Sequence, residues 1–279
     1  MNNYLSILFV ATISIGCQTQ SIEAQTAGIT LVRDGIPRAI IAIAPDPDEY
    51  EQLAVKELQI NLEKISGAKV DAVTIKVGEA KSFVAETKTA KKTPILIGRI
   101  TRERLAKESQ KPPMRGSFIL QVADGTVRIH GLEEGSYYGV IELLEQLGCR
   151  WFMPGDLGAV IPKLETITIK EQTTKQSPSF ASRHFQMPNR EWQKRARCGG
   201  DVFRGGHGLK APPYRRNKAT GAYEPEENAE YYGLVDGKRI GRQHCVSNPK
   251  LISYTVSAVK KMRAAGRGPV IAMGPNDGR

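Results

Sequence analysis

Short apolar runs separated by turn residues mark the strands predicted between residues 28 and 173. ITLVRDG and PRAIIAIA are predicted as strands around an Asp34-Gly35 turn, and the continuously apolar TPILIGR as a strand covered on both faces. GSFILQVADGTVRIHG predicts a hairpin, because Asp-Gly between two alternating segments is a strong turn signal. His130 is expected to face outward from this hairpin. ETITIK closes the region as a strand with alternating apolar residues.

Two helices are predicted from apolar residues that recur every three or four positions. The first covers residues 50–65, with Asp48 as N-cap, Glu51 as its reciprocal capping partner and Gly67 at its end. The second covers residues 137–147 and stops at a glycine. Strands and helices in this order predict an α/β domain with a sheet and helices packed against it.

The remainder of the chain is organised differently. Residues 171–181 are polar and predict a linker, and periodicity is poor until Asn248 and Pro249, the expected N-cap and first residue of a helix. PVIAM (269–273) predicts a buried strand. Strand, long loop, helix and strand in this order are how a (β/α) barrel begins, and a complete barrel needs roughly 250 residues. Residues 174–279 therefore predict an incomplete (β/α) barrel.

The N-terminus carries a pattern typical of a secretory signal. Residues 5–15 are apolar, too few to span a bilayer comfortably, and small and polar residues follow, which predicts a signal peptide over residues 1–27. Cleavage before Cys17 would leave a lipid anchor, whereas cleavage near Ala24 or Ala27 would be ordinary export. A buried N-terminal helix is the alternative. We expect an exported protein, periplasmic or extracellular, without a transmembrane span.

Cysteine and glycine spacing bears on metals and cofactors. Beyond the leader, Cys149, Cys198 and Cys245 remain, an odd number without CxxC spacing, which disfavours a disulfide framework or a structural zinc site. His244 beside Cys245 is expected to be a packing residue. No GxGxxG follows a strand, and GxxxxGK followed by Ser or Thr is absent from the sequence. We expect neither a cofactor nor a metal.

Composition adds a charge asymmetry to this picture. The chain of 279 residues is 40% apolar and 25% charged, as in globular proteins, with a formal net charge of +11. Residues 28–173 hold 20 Lys and Arg against 20 Asp and Glu, whereas residues 174–279 hold 20 against 8. A neutral domain is therefore joined to a basic segment, and basic segments attract polyanions.

The basic excess is densest between Arg183 and Lys218, where Trp192, Phe203 and Tyr214 interleave with ten Lys and Arg residues. Flat aromatic faces suit sugar rings as well as bases. A uronic-acid-bearing or sulfated polysaccharide would satisfy this set, and so would nucleic acid. The export signal argues against nucleic acid. A solvated basic face without a ligand is the remaining interpretation.

Several stretches resemble glycoside hydrolases. GSYYGVIELLEQLGCRWFMPGDLGAVIP (135–162) resembles the end of the N-terminal α/β domain of α-glucuronidase-type enzymes, and is similar to the non-catalytic α/β domain that precedes the barrel in β-hexosaminidases. VKELQINLEKISGAKV (55–70) and PILIGR (94–99) resemble that domain's first helix and following strand. The pieces that resemble the barrel of a poorly characterised bacterial glycosidase-like family are SPSFASRHFQ, GGHGL, EYYGLVDGKRIGRQHCVSNPKL and GPNDG. The resemblance implies a secreted, carbohydrate-directed, glycosidase-like protein whose barrel would continue well past GPNDG.

Asp277 is the predicted catalytic residue. It follows the predicted strand PVIAM, and barrel enzymes place their chemistry at the C-terminal ends of strands. Asn276 beside it is a predicted substrate-binding residue. A plain turn over Asn276-Asp277-Gly278 is the alternative. Glycoside hydrolysis normally needs two carboxylates, and the sequence identifies no second one.

The other predicted substrate-binding residues are Arg183, Arg197, His207 and Tyr214. An arginine fork matches a carboxylate, and the glycines around His207 allow a ligand to approach the backbone closely. Alternation puts Arg183 and His184 on opposite faces of their strand, and the resemblance favours Arg183. His207 in an incidental turn is the alternative. Together these residues predict a glycoside hydrolase-like protein acting on an acidic glycan, with a non-catalytic carbohydrate-binding fragment as the alternative.

Overall fold

Helices and short strands alternate along the described chain. The computed structural model describes residues 28–104, 114–185, 189–202, 214–216, 219, 223–225, 229–266 and 271–274. The helices are α1 Glu49–Ser66, α2 Ala80–Thr89, α3 Gly135–Gln146, α4 Arg190–Arg195 and α5 Pro249–Ala264. The strands of the N-terminal part are β1 Gly28–Arg33, β2 Ile36–Pro37, β3 Ala39–Ile43, β4 Ala72–Thr74, β5 Thr93–Ile97, β6 Phe118–Ala123, β7 Thr126–Gly131, β8 Arg150–Trp151, β9 Ala159–Val160, β10 Ile167–Lys170 and β11 Gln172–Gln176. Those of the C-terminal part are β12 Ser182–Arg183, β13 Gly199–Gly200, β14 Tyr214–Arg216, β15 Tyr223–Pro225, β16 Tyr232–Val235 and β17 Lys238–His244.

A six-stranded mixed sheet forms the centre of the N-terminal part, in the order β11-β6-β7-β5-β3-β4. Strands β4, β3, β5 and β7 are parallel, whereas β6 and β11 complete the sheet as antiparallel strands. A smaller sheet pairs β1 antiparallel to both β10 and β2. The predicted α/β fold class is confirmed for this part of the chain.

Helices cover both faces of the central sheet. α1 and α3 pack together over one face, where the larger apolar core includes the fully buried Leu58, Ile95 and Leu144. α2 packs on the other face, where Phe83 and Val84 contact a smaller core. Because both faces are covered, β5 is buried along its length, which explains its continuously apolar sequence.

The capping of α1 is confirmed and also joins the helix to the sheet. Asp48 Oδ1 accepts from the Glu51 backbone N–H at 2.8 Å, and Glu51 Oε2 accepts from the Asp48 N–H at 3.1 Å. Gly67 ends the helix at φ 76°. Glu51 is buried, and its Oε1 accepts from the Arg99 N–H, at the end of β5, at 2.6 Å. The carboxylate thus lies at a helix N-terminus, where negative charge is favourable.

The hairpin of β6 and β7 turns at Asp124-Gly125 as predicted, with φ 50° and 61°, the positive values of a type I′ turn. The prediction that His130 faces outward is wrong, since this residue is only 2% exposed. β7 lies inside the sheet between β6 and β5, and residues on both of its faces are buried. The alternation of residues along β7 therefore does not separate a solvent-exposed face from a buried one.

The linker predicted over residues 171–181 is wrong in its first half. Residues Gln172–Gln176 form β11, which pairs antiparallel with β6 along its length. β11 lies at the sheet edge and is largely exposed, so polar residues fit it although they carry no strand signal. The predicted boundary at residue 173 falls inside this strand. The division into domains 28–173 and 174–279 stays a prediction.

The C-terminal part contains small antiparallel units. In the described residues beyond 176, the strands pair as β12-β13, β14-β15 and β16-β17. Asn248 caps α5 as predicted, its Oδ1 accepting from the Lys250 N–H at 2.9 Å, and Pro249 is the first residue of the helix. The predicted strand PVIAM is not found in its described portion, 271–273, which is only partly buried. The incomplete (β/α) barrel stays a prediction. No described helix is long and apolar enough to cross a membrane.

Gly139 in α3 provides a test of this packing. A Cβ at this position would lie 2.5 Å from Ile129 Cγ2 and 3.4 Å from Phe118 Cδ2. Alanine would favour the helix by about 1 kcal/mol through propensity alone. Because Ile129 is fully buried and cannot move aside freely, we expect Gly139→Ala to destabilise the protein instead, by about 1–3 kcal/mol.

The measurement is the urea denaturation midpoint. Gly78→Ala is the matched control, because a Cβ there meets no atom within 4 Å, and its effect should stay within about 0.5 kcal/mol. A more stable Gly139→Ala protein would show that α3 does not approach the sheet this closely.

Candidate functional site

Helix α4 is short and is held by contacts with the N-terminal part. Asn189 caps it, with Oδ1 accepting from the Trp192 N–H at 2.8 Å. A helix of this length has little stability of its own. Trp192 Nε1 also donates to the Trp151 carbonyl at 2.9 Å, which joins α4 to β8.

Arg195 makes a further contact between α4 and α1, through an ion pair with Glu57. Its Nε donates to Glu57 Oε1 at 2.8 Å and its Nη2 to Oε2 at 3.3 Å, while the guanidinium carbon lies 5.3 Å from the centre of the Trp151 ring. The Tyr137 hydroxyl donates to Glu57 Oε2 at 3.3 Å. Burial alone would lower the pKa of Arg195, but the hydrogen bonds to Glu57 raise it above its ordinary value. The charged Arg195 thus lies against the buried Glu57.

Arg197 forms a second contact, with α3. Its Nη2 donates to Glu145 Oε2 at 2.6 Å and to Glu142 Oε2 at 2.9 Å, and its Nη1 donates to Glu145 Oε1 at 3.1 Å. The fork geometry is the one expected for substrate, but here its acceptors belong to the protein itself. The role of Arg197 in substrate binding stays a prediction.

Arg183 binds backbone carbonyls. Its Nη1 donates to the Phe180 carbonyl at 2.8 Å, its Nε to the Arg197 carbonyl at 3.2 Å, and its Nη2 approaches the Arg115 carbonyl at 3.5 Å. Arg183 therefore contacts the backbone of Arg197. A direct contact of Arg183 with substrate stays a prediction.

The remaining predicted residues cannot be compared with this geometry. His207, Asn276 and Asp277 lie outside the described residues. Tyr214 lies on β14, and its side chain is likewise outside the described set. Their predicted roles therefore stay predictions.

A cleft of about 630 Å³ opens where α4 meets the start of α1 and the turn before α3. Its lining comes from Tyr50, Arg115, Glu134, His184, Phe185, Arg190, Gln193, Lys194, Cys198, Gly199, Gly200 and Val202. None of these residues is among the site residues predicted from the sequence. Arg190 and Lys194 lie in the recognised basic stretch, whereas Tyr50, Arg115 and Glu134 are distant in sequence and carry no motif.

Glu134 holds two sides of the cleft together. It is 2% exposed, and its oxygens accept from Arg115 Nε at 2.7 and 2.8 Å and from the Gly200 N–H at 3.2 Å. Burial pushes the pKa of Glu134 upward, but the hydrogen bonds from Arg115 and Gly200 bring it below its ordinary value. The Tyr138 hydroxyl donates to the Cys198 carbonyl at 2.8 Å, and burial raises the pKa of Tyr138 to about 12. The cleft floor is therefore a fixed, fully bonded network.

In the part of the chain that the structure describes, no three His, Cys, Asp or Glu residues cluster in a way that could hold a metal ion. Cys149, Cys198 and Cys245 are free thiols, and burial raises the pKa of Cys149 to about 11. The His244 ring lies 5.5 Å from that of Tyr232, and burial lowers the pKa of His244. The neutral form of this imidazole fits a packing residue.

Arg195→Met tests whether the Glu57 pair fastens α4. The variant keeps most of the side-chain volume and leaves the buried Glu57 without its cation. We expect a loss of about 3 kcal/mol in unfolding free energy, because an unpaired buried charge is costly. Arg190→Met on the exposed side of α4 is the control, with an expected change within about 0.5 kcal/mol.

Chemical denaturation of the double variant Glu57→Gln/Arg195→Met completes the test. Removing both charges should recover at least half of the loss. A double variant as unstable as the sum of the two single variants would show that the ion pair does not couple α4 to α1.

Comparisons with solved structures give partial likenesses at low identity. No protein-family model matches the chain, and no curated protein matches it. Two variants of the Streptomyces plicatus β-hexosaminidase, solved in complex with the product GlcNAc, match at 13% identity with TM-scores of 0.33 and 0.32. They cover 56% and 57% of this chain, and 24% and 25% of their own chains.

The GH20 β-N-acetylhexosaminidase from Streptomyces coelicolor matches at 15% identity with a TM-score of 0.31, over 57% of this chain and 27% of its own. The chain thus spans about a quarter of the solved structures it matches. The similar proteins are β-hexosaminidases at low identity and partial coverage, and at these TM-scores the likeness identifies no family for this chain.

Proposed function

We propose that this chain is a secreted glycoside hydrolase-like protein that acts on an acidic polysaccharide, and that the cleft beside α4 binds one of its anionic sugar units. The observation that carries the proposal is the lining of this cleft, where the cations Arg190 and Lys194 and the exposed ring of Phe185 come together. Its volume of about 630 Å³ lies within the range of small-ligand sites.

The charge balance of the cleft favours an anion. Three cationic side chains line it, and Glu134 is the carboxylate among its lining residues. Glu134 compensates Arg115 through two hydrogen bonds, and Lys194 is paired with Glu49. Arg190 has no ion-pair partner among the residues that the structure describes, so its guanidinium remains available for a carboxylate.

An aromatic face complements these cations. Phe185 is 64% exposed and lies at the cleft with Val202, which is 63% exposed. Large apolar side chains left in solvent beside polar groups commonly mark a ligand surface. A sugar ring presents an apolar face and polar edges, so it can stack on Phe185 while its carboxylate reaches Arg190.

Hydrolysis and export rest on sequence features. The hydrolase assignment depends on the resemblance of residues 135–162 and on Asp277 as the acid beside the bond that breaks. Export depends on the apolar leader of residues 5–15. The alternative is a carbohydrate-binding fragment without turnover, and the two differ only in whether bound saccharide is cleaved.

Arg190→Gln tests the anion site. Loss of the charge-assisted contact should raise the Kd for sodium glucuronate about tenfold, measured by NMR titration, and leave that for glucose unchanged. Phe185→Ala should weaken both sugars, because stacking does not depend on charge. Arg33→Gln on the exposed side of β1 removes the same charge elsewhere and should change neither.

Two results would contradict this site. Equal binding of glucuronate by the wild-type protein and by Arg190→Gln would place the anion elsewhere. If Arg33→Gln weakened the binding of glucuronate equally, the effect would come from the net charge of the protein and not from the cleft.

Asp277→Asn tests the catalytic proposal. If Asp277 transfers the proton to the leaving group, hydrolysis of methyl glucuronide, whose alkoxide leaving group needs that proton, should fall roughly 10²–10⁴-fold. The Kd for glucuronate should stay the same, because the variant keeps the cleft beside α4. Binding without any turnover by the wild-type protein would favour the non-catalytic alternative, and an unchanged rate in the variant would remove Asp277 from the reaction.

A further inference from the structure

Lys194 takes part in two sets of contacts. It lines the cleft, and its Nζ also lies 2.9 Å from Glu49 Oε1 and 5.6 Å from the centre of the Tyr50 ring. Glu49 is not a lining residue, but it belongs to the first turn of α1 and reaches Lys194 from the cleft's edge. One of the cleft's cations is therefore already paired with a carboxylate of the protein.

The charge of Glu49 also acts inside the cleft. Burial raises the pKa of the lining residue Tyr50, and the negative charges of Glu134 and Glu49 raise it further. A field that opposes the ionisation of Tyr50 equally opposes the entry of another anion. Glu49 therefore weakens the cleft for anions by pairing with Lys194 and by repulsion.

The ion pair between Glu49 and Lys194 is more exposed to solvent than the ion pairs of Arg197 with α3. The side chain of Glu49 is 71% exposed and makes one contact of 2.9 Å with Lys194. Arg197, by contrast, is held by three hydrogen bonds to Glu142 and Glu145, whose side chains are mostly shielded from solvent. Exposed single pairs contribute little to stability, so an incoming carboxylate can replace Glu49 without loosening α4.

We propose that Glu49 is a specificity-determining residue of the cleft, which occupies Lys194 in the free protein and is displaced when the carboxylate of an anionic sugar binds. This inference rests on the proposed function of the cleft. It predicts that the protein binds acidic sugars less tightly than it would if Glu49 did not occupy Lys194. It also predicts that the affinity for neutral sugars does not depend on Glu49.

Glu49→Gln is the decisive variant. NMR titration with sodium glucuronate at fixed ionic strength should give a Kd roughly two- to fivefold lower than that of the wild-type protein. The Kd for glucose should not change. Because the side chain is exposed, the midpoint of thermal unfolding should stay close to that of the wild-type protein.

Glu63→Gln is the matched control. Glu63 lies on the same helix, about 21 Å further along its axis, and pairs with Lys69 at 3.7 Å. The substitution changes the net charge equally, so the Kd for glucuronate should not change. An equal gain in Glu63→Gln would overturn the inference, because the effect would then be one of overall charge.

Lys194→Gln supplies an independent readout. It should raise the Kd for glucuronate and, combined with Glu49→Gln, remove most of the gain of that variant, because only the repulsion by Glu49 acts without Lys194. A gain of undiminished size without Lys194 would overturn the displacement.

The possible failures can be told apart. Wild-type binding with no gain in Glu49→Gln would reject the role of Glu49 and leave the proposed function standing. No binding of glucuronate by either protein would reject both.

Discussion

The carboxylates that α1 and α3 direct toward α4 are the constraint on which the arrangement of the chain depends. Glu57 is buried, and Glu142 and Glu145 are partly shielded, so each needs a cation to offset the loss of hydration. Those cations come from Arg195 and Arg197, more than fifty residues away along the chain. The basic segment is therefore attached to the N-terminal part by charge as much as by apolar contact, and α4 is held against that part through Trp192 and Arg195.

The same attachment creates the cleft. Fastening α4 through Arg195 presents Arg190 and Lys194 to the space above Tyr50, while Glu134 binds the backbone of Gly200 and fixes the floor. The short helix α4 therefore carries both a cation that pairs with a buried carboxylate, Arg195, and cations that line the cleft, Arg190 and Lys194. Arg195 has a buried acceptor and attaches α4 to the N-terminal part, whereas Lys194 pairs with the exposed Glu49. This division follows from solvent exposure, because screening by water makes an exposed pair replaceable and a buried one permanent.

The charge asymmetry of the sequence has two physical origins that composition cannot separate. Part of the basic excess compensates glutamates of the neutral domain, as Arg195 and Arg197 do, and part lines the cleft, as Arg190 does. A count of charges records both in the same way. The partners are 138 and 52 residues apart, and no local pattern encodes a pairing at that separation.

Local elements were determined by the sequence alone. The capping box of α1, the Asp124-Gly125 turn and the Asn248 cap follow from contacts within a few residues, so short stretches sufficed to predict them. Tertiary structure alone decided that polar residues 172–176 join the sheet as an edge strand and that His130 is buried in a central one. It also decided which arginines meet glutamates and which line the cleft. Burial and ion pairing depend on what packs against a residue, and that neighbour is supplied by distant parts of the chain.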